Sequence, residues 1–237
     1  MFYDLDDPNK FVSEIKSILA QDGVWCIQLS YLLSMLKNMN FYDVCHEHLE
    51  YYSLHVLDSL MRRHGLFIFD CSLNQVNGGS ARVFITHIGS GKKRTQHFEK
   101  LLAEEVKADL YNSNTYHDFY EKIEDLAKRV SGYVLNEIKN KKLVIGLGAS
   151  TKGNVLLQLF GIGKDILPFI SERSPEKVGL RTLGTDIELV SEEYARELNP
   201  SCMLVLPWYF KNEIVRRENE YLKMGGANCF SQCRTHT

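Results

Sequence analysis

Apolar residues recur at helical spacing in FVSEIKSILA, at Phe11, Ile15, Ile18 and Leu19, which predicts a helix over 11–20. Asp22-Gly23 breaks it, and VWCIQL (24–29) reads as a buried strand. Helix, Asp-Gly turn and strand together predict one αβ unit of a doubly wound sheet. Such a unit cannot bury both of its faces alone, so the expectation is a chain that begins inside a domain. A short helix at 31–37 follows, then NFYDVCHEHLEYYS (40–53), dense in ionisable and aromatic groups. Ser53 has the character of an N-cap for a helix reaching Arg63, which His64-Gly65 ends. LFIFDCSL (66–73) and ARVFITHI (81–88) are strand-like and joined by NQVNGGS, predicting antiparallel neighbours.

Two helices are expected next, at 93–109 and 115–140, the second with Phe119, Ile123, Leu126, Val130, Val134 and Ile138 on one face. From Lys142 strands and helices alternate. LVIGLG (143–148), ILPFIS (166–171), CMLVLP (202–207) and ANCFSQ (227–232) are strands. GNVLLQLFG (153–161), EEYARELN (192–199) and FKNEIVRRENEYLKM (210–224) are helices. This rhythm predicts a parallel sheet with crossover helices, a small Rossmann-like domain.

Composition narrows the classes. The 237 residues are 44% hydrophobic and 24% charged, the balance of a folded globular protein. A net charge of −2 gives no basic field for nucleic acid or an anionic membrane. No apolar run approaches the ~20 residues of a membrane span. The acidic start, MFYDLDDPNKF, is unlike a signal peptide, and six scattered cysteines suit a reducing cytoplasm. Cys229, Cys233 and His236 make a weak metal motif, and no metal is expected.

Four places carry candidate chemistry. Cys45-His46-Glu47-His48 puts both histidines on one face if the chain is extended there. It reads as a metal site, as hydrogen bonding within a loop, or as an acid/base site in which an imidazole works beside a carboxylate. The turn Gly146-Leu-Gly148-Ala-Ser150-Thr151-Lys152-Gly153 follows a strand and opens a helix, where backbone N–H groups can hold an anion. Glu172 ends the next strand, where such domains place an acid on a ribose hydroxyl, but Thr151 stands where the dinucleotide fingerprint has its third glycine. The other reading is a tight turn that binds nothing. Asn77-Gly78-Gly79-Ser80 with Arg82 is either a ligand-approach turn and a phosphate-binding arginine, or a plain turn with a solvated one. Trp208 and Tyr209 end a parallel strand, where ligands of open sheets collect or where aromatic rings pack.

The stretches DPNKFVSEIKSILAQDGVWCIQLSYL, CHEHLEYYSL, NGGSARV, GLGASTKGN, RTLGTDI and LVLPWYF, taken in order, resemble the S-adenosylmethionine-dependent sugar C-methyltransferases. That family has a cysteine-rich zinc module, a methyl-donor domain and a Rossmann-like C-terminal domain, and methylates nucleotide-linked deoxy-ketosugars. The resemblance implies an α/β chain: the tail of a donor domain with its catalytic loop at 1–64, then a nucleotide-sugar-binding domain with an inserted β/α region at 65–237. The donor loop and zinc cysteines are absent from this sequence. It also implies His48 as the base that forms an enolate and Glu47 as its partner. Substrate contacts are implied at Asn77, Gly78, Gly79, Ser80, Arg82, Gly146, Gly148, Ser150, Thr151, Lys152, Glu172 and Trp208. Where the better-known sugar enzymes carry tyrosine two positions before the glutamate, this chain has Cys45. An N-terminal half supplied by a separate chain is one arrangement this allows. The rival readings are a non-catalytic nucleotide-sugar-binding module and a nicotinamide-dependent oxidoreductase.

Overall fold

The computed structural model describes residues 2–223, 225–230 and 235–236. They form two compact units that divide between Phe119 and Tyr120, so residue 64 lies inside the first.

In the first unit, α1 (Pro8–Ile18) starts with Pro8 after Asp7, whose carboxylate accepts the Lys10 N–H. It leads to β1 (Trp25–Ser30) and α2 (Leu32–Lys37). A buried 3₁₀ turn, Phe41–Asp43, precedes the loop to α3 (Leu54–Arg63). Ser53 caps α3 through the Val56 N–H, as expected. The buried Glu105 carboxylate, from α4 (Gln96–Lys107), accepts the next two orphan donors, Leu54 and His55 N–H. β2 (Leu66–Asn74) and β3 (Ser80–His87) are antiparallel, as predicted.

The αβ reading of residues 11–29 needs correction: β1 pairs antiparallel with β3, in the order β1-β3-β2. The β2–β3 hairpin leaves one edge of β3 open, and β1 takes it, so this sheet contains no parallel pair. Val83 and Ile85 of β3 lie in its core with Leu29, Leu57, Met61, Ile68 and Phe98.

α5 (Ser113–Lys139) passes from one unit into the other. The second unit holds β4 (Val144–Leu147), α6 (Thr151–Leu159), β5 (Phe169–Glu172), β6 (Glu188–Ser191), α7 (Glu192–Glu197) and β7 (Cys202–Val205). α8 (Lys211–Arg217), α9 (Asn219–Lys223), β8 (Ala227–Phe230) and β9 (Thr235–His236) complete it. The sheet order is β6-β5-β4-β7-β8-β9, parallel throughout except that β9 runs against β8. This is the Rossmann-like sheet that the alternation predicts. Cys233 and the side chains of Cys229 and His236 lie outside the described residues, as do residues 231 and 232 of the expected last strand.

Candidate functional site

The loop that carries the Cys-His-Glu-His cluster hangs from buried aromatic residues. Phe41 and Tyr42 are buried, and the buried Asp43 accepts the Cys45 N–H on its carbonyl. The chain then turns: His48 N–H donates to Cys45 C=O at 3.1 Å. An extended segment would put His46 and His48 on one face. The turn separates them, leaving the His46 side chain 89% exposed and His48 half-buried. Glu47 reaches back to His46 Nδ1 at 3.3 Å and bonds the Cys45 thiol. Its own backbone N–H, and then that thiol, hold the Glu47 carboxyl below the usual carboxylate range. Burial, and then Glu47, push the Cys45 thiol up. The His48 imidazole packs on Tyr3, ring centroids 4.4 Å apart and planes at 63°, with Tyr51 farther off at 6.5 Å. Glu47 and His48 are thus neighbours in sequence whose side chains lean on different groups.

Sequence reasoning missed Tyr3. An isolated tyrosine near the start of the chain carries no signal until the fold brings it to His48.

The Asn77–Ser80 turn packs beneath this loop's root. Gly78 and Gly79 have φ of 86° and 141°, and a Cβ on Gly78 would lie 2.6 Å from Asn40 Nδ2. The Gly78 carbonyl accepts from Asn38 Nδ2 at 2.9 Å and Asn40 Nδ2 at 2.7 Å. Asn40 Oδ1 in turn accepts the Tyr42 hydroxyl. Close backbone approach is therefore needed here against protein. Ser80 donates to Val76 C=O, Arg82 donates to Gln28 Oε1, and of the five only Asn77 and Arg82 are exposed.

The second unit has its own concave site. β5 and β7 flank β4, so chain direction around the sheet reverses there, and a crevice opens beyond the strand ends. Gly146 lets β4 pass close to Ile170, and Gly148, at φ 80°, faces Pro207. Glu172 accepts Ala149 N–H at 2.8 Å and Ser174 N–H at 2.9 Å. Ser150 caps α6 by accepting the Gly153 N–H, and exposed Thr151 is the helix's first residue. Lys152 Nζ lies over the Tyr209 ring, 5.3 Å from its centroid. A cavity of about 310 Å³ is lined by Gly148, Ala149, Ser150 and Glu172, and by Arg173, Tyr209, Phe210 and Arg217, which sequence reasoning did not single out apart from Tyr209. Trp208 instead packs, partly buried, against the core around Ile145 and Met203. Among the described residues no group of three or more His, Cys, Asp or Glu could hold a metal ion. Among them, too, no helix is long and apolar enough to cross a membrane.

Two comparisons bear on these sites. Residues 75–231 match the family model of the C-methyltransferase C-terminal domain. Over 225 residues the chain is 32% identical to the C-methyltransferase NovU of Streptomyces niveus, covering 95% of this chain and 54% of that protein. The chain thus spans about half the length of the curated relative it matches. With the family model covering most of its length, and a parallel sheet that carries a glycine-rich turn at its switch point, the chain belongs to the C-methyltransferase C-terminal domain family.

Proposed function

We propose that this chain serves S-adenosylmethionine-dependent methylation of carbon in a nucleotide-linked deoxy-ketosugar. In this reading His48 removes a proton from the carbon beside the ketone. One observation supports His48 in this role: a half-buried imidazole stands on a loop rooted in buried aromatics, held by ring packing. The ketone acidifies the adjacent C–H, the imidazole nitrogen takes that proton, and the electron pair moves onto the carbonyl oxygen as an enolate. The enolate carbon would attack the sulfonium methyl: the C–C bond forms as the S–C bond breaks, the donor leaves as a neutral thioether, and the ketone is re-formed. Glu47, tied to Cys45 and His46, acts on the loop's charge and shape more than on the His48 ring.

The second unit offers a place for a nucleotide: Ser150, Arg173 and Tyr209 line its cavity, and Thr151 and Lys152 follow on the same turn outside that lining, as donors for a diphosphate. Asn77 and Arg82 are the exposed residues of their own turn in the first unit. No residue of this chain is assigned to the donor, which enters as second substrate. A soluble cytoplasmic setting belongs to the same proposal. An N-terminal half from a separate chain would complete it.

The test is solvent deuterium exchange at the sugar carbon of a nucleoside-diphosphate ketosugar, with the methyl donor withheld. General-base catalysis is worth ~10²–10⁴-fold, so His48→Asn should slow exchange by about that factor while His46→Asn is mild. Normal exchange in the His48 variant moves the base elsewhere. A second reading, a non-catalytic nucleotide-sugar-binding module, draws on the cavity lying wholly within the second unit. It predicts binding with no exchange in the unmodified chain.

A further inference from the structure

We infer that Tyr3 is a positioning residue for His48: its ring sets the imidazole's orientation, and its carbonyl fixes the backbone that follows. This deepens the reading of His48 as the base and rests on it. Tyr3 is 4% exposed, so its ring is confined by packing rather than by solvent. The ring meets His48 edge-on, with centroids 4.4 Å apart at 63°, a close T-shaped contact of the kind aromatic pairs favour. The Tyr3 carbonyl accepts the N–H of both Leu49, at 3.0 Å, and Glu50, at 3.2 Å. His48 is therefore held from both sides, by Cys45 C=O on its own N–H and by Tyr3 C=O on the two residues after it. The neighbouring carboxylate, Glu47, pairs with exposed His46 instead. Orientation of the imidazole is thus delegated to a ring far earlier in the sequence, that of Tyr3.

The carbonyl hooks survive any side-chain change, so substitutions at Tyr3 isolate the ring. Misplacing a catalytic group by about 1 Å can cost ~10²-fold, so Tyr3→Leu should slow donor-free deuterium exchange by about 10–100-fold. KM should stay within about threefold, since orientation of the base belongs to the transition state. Tyr3→Phe keeps the ring and should restore exchange. Independently, nuclear magnetic resonance of the unmodified protein should show a nuclear Overhauser contact between the Tyr3 and His48 rings, with His48→Asn assigning the signal. Thermal melts check that each variant folds. Absence of that contact in folded protein overturns the inference, even if Tyr3→Leu does not fold. So does a folded Tyr3→Leu that exchanges at the normal rate. Normal exchange in His48→Asn with the ring contact present shows instead that the base assignment has failed and the geometry has not.

Discussion

The Glu172 carboxylate binds the Ala149 N–H at 2.8 Å, closing the end of one parallel strand onto the turn that follows its neighbour. Its second oxygen takes the Ser174 N–H, so this buried acid spends both oxygens on backbone. Glu172→Ala should orphan two donors and cost about 1–3 kcal/mol of stability, with nucleotide-sugar affinity falling alongside. Denaturant melts paired with calorimetry check this. A loss of affinity with stability unchanged would mark Glu172 as a ribose contact and nothing more.

Lys152 sits over Tyr209, a residue that lines the same cavity. A charge-assisted phosphate contact is worth ~1.5–3 kcal/mol, so Lys152→Ala should weaken a nucleoside-diphosphate sugar by about that amount in calorimetry. Unchanged affinity would leave the turn a structural one.

Asp58 bridges Arg62 at 2.8 Å and Arg94, and accepts the Ile68 N–H at 3.1 Å. Burial works against its ionisation, but the hydrogen bonds from Arg94 and Arg62 outweigh it and hold the carboxyl below its ordinary value. The folded state therefore binds this proton less readily than the unfolded state does. The stabilisation is present above the ordinary aspartate value of ~3.9 and is lost as pH falls through the lower folded one. Asp58→Asn should cost about 1.5–3 kcal/mol near neutrality, and the gap between variant and parent should close in acid. Urea melts across pH would show it, and a gap that widens in acid would refute it.

Thiol chemistry should sort the described cysteines. Cys26 is exposed, Cys45 half-buried, and Cys71 and Cys202 buried. Burial, and then Asp70, push the Cys71 thiol up to about 12. With iodoacetamide and peptide mass spectrometry, Cys26 should label first. Cys45 should lag, its rate still climbing beyond the ordinary thiol value of ~8.5, and Cys71 should react only on unfolding. Early modification of Cys45 would contradict its place in the loop.

Periodicity made much of this fold legible. The stripe from Phe119 to Ile138 foretold α5, Ser53 foretold its helix start, and NQVNGGS foretold the β2–β3 pair. Strand β6, Glu188–Ser191, has four residues and half of them are polar, too short a run for any pattern to register. Pairing partners were less readable, because a strand's own residues do not say which edge will receive it, and β1 went to β3. At the sites, residue types pointed to the Cys45–His48 cluster and to the Gly146–Gly153 turn, and only the family resemblance singled out His48. Local spacing could not reveal that a turn at Cys45–His48 splits the two histidines, or that Asn40 fills the space beside Gly78.

The pairing of β1 with β3, Trp25 against Ile85, has a consequence for the order of assembly. The β2–β3 hairpin closes a short loop and can form early, whereas β1 must wait for a partner encoded far downstream. Everything between them, including the His48 loop, is enclosed by that late contact. During synthesis the residues proposed for catalysis would gain their geometry only after β3 has emerged, so a chain stopped before Ser80 would carry the Cys-His-Glu-His sequence without the site.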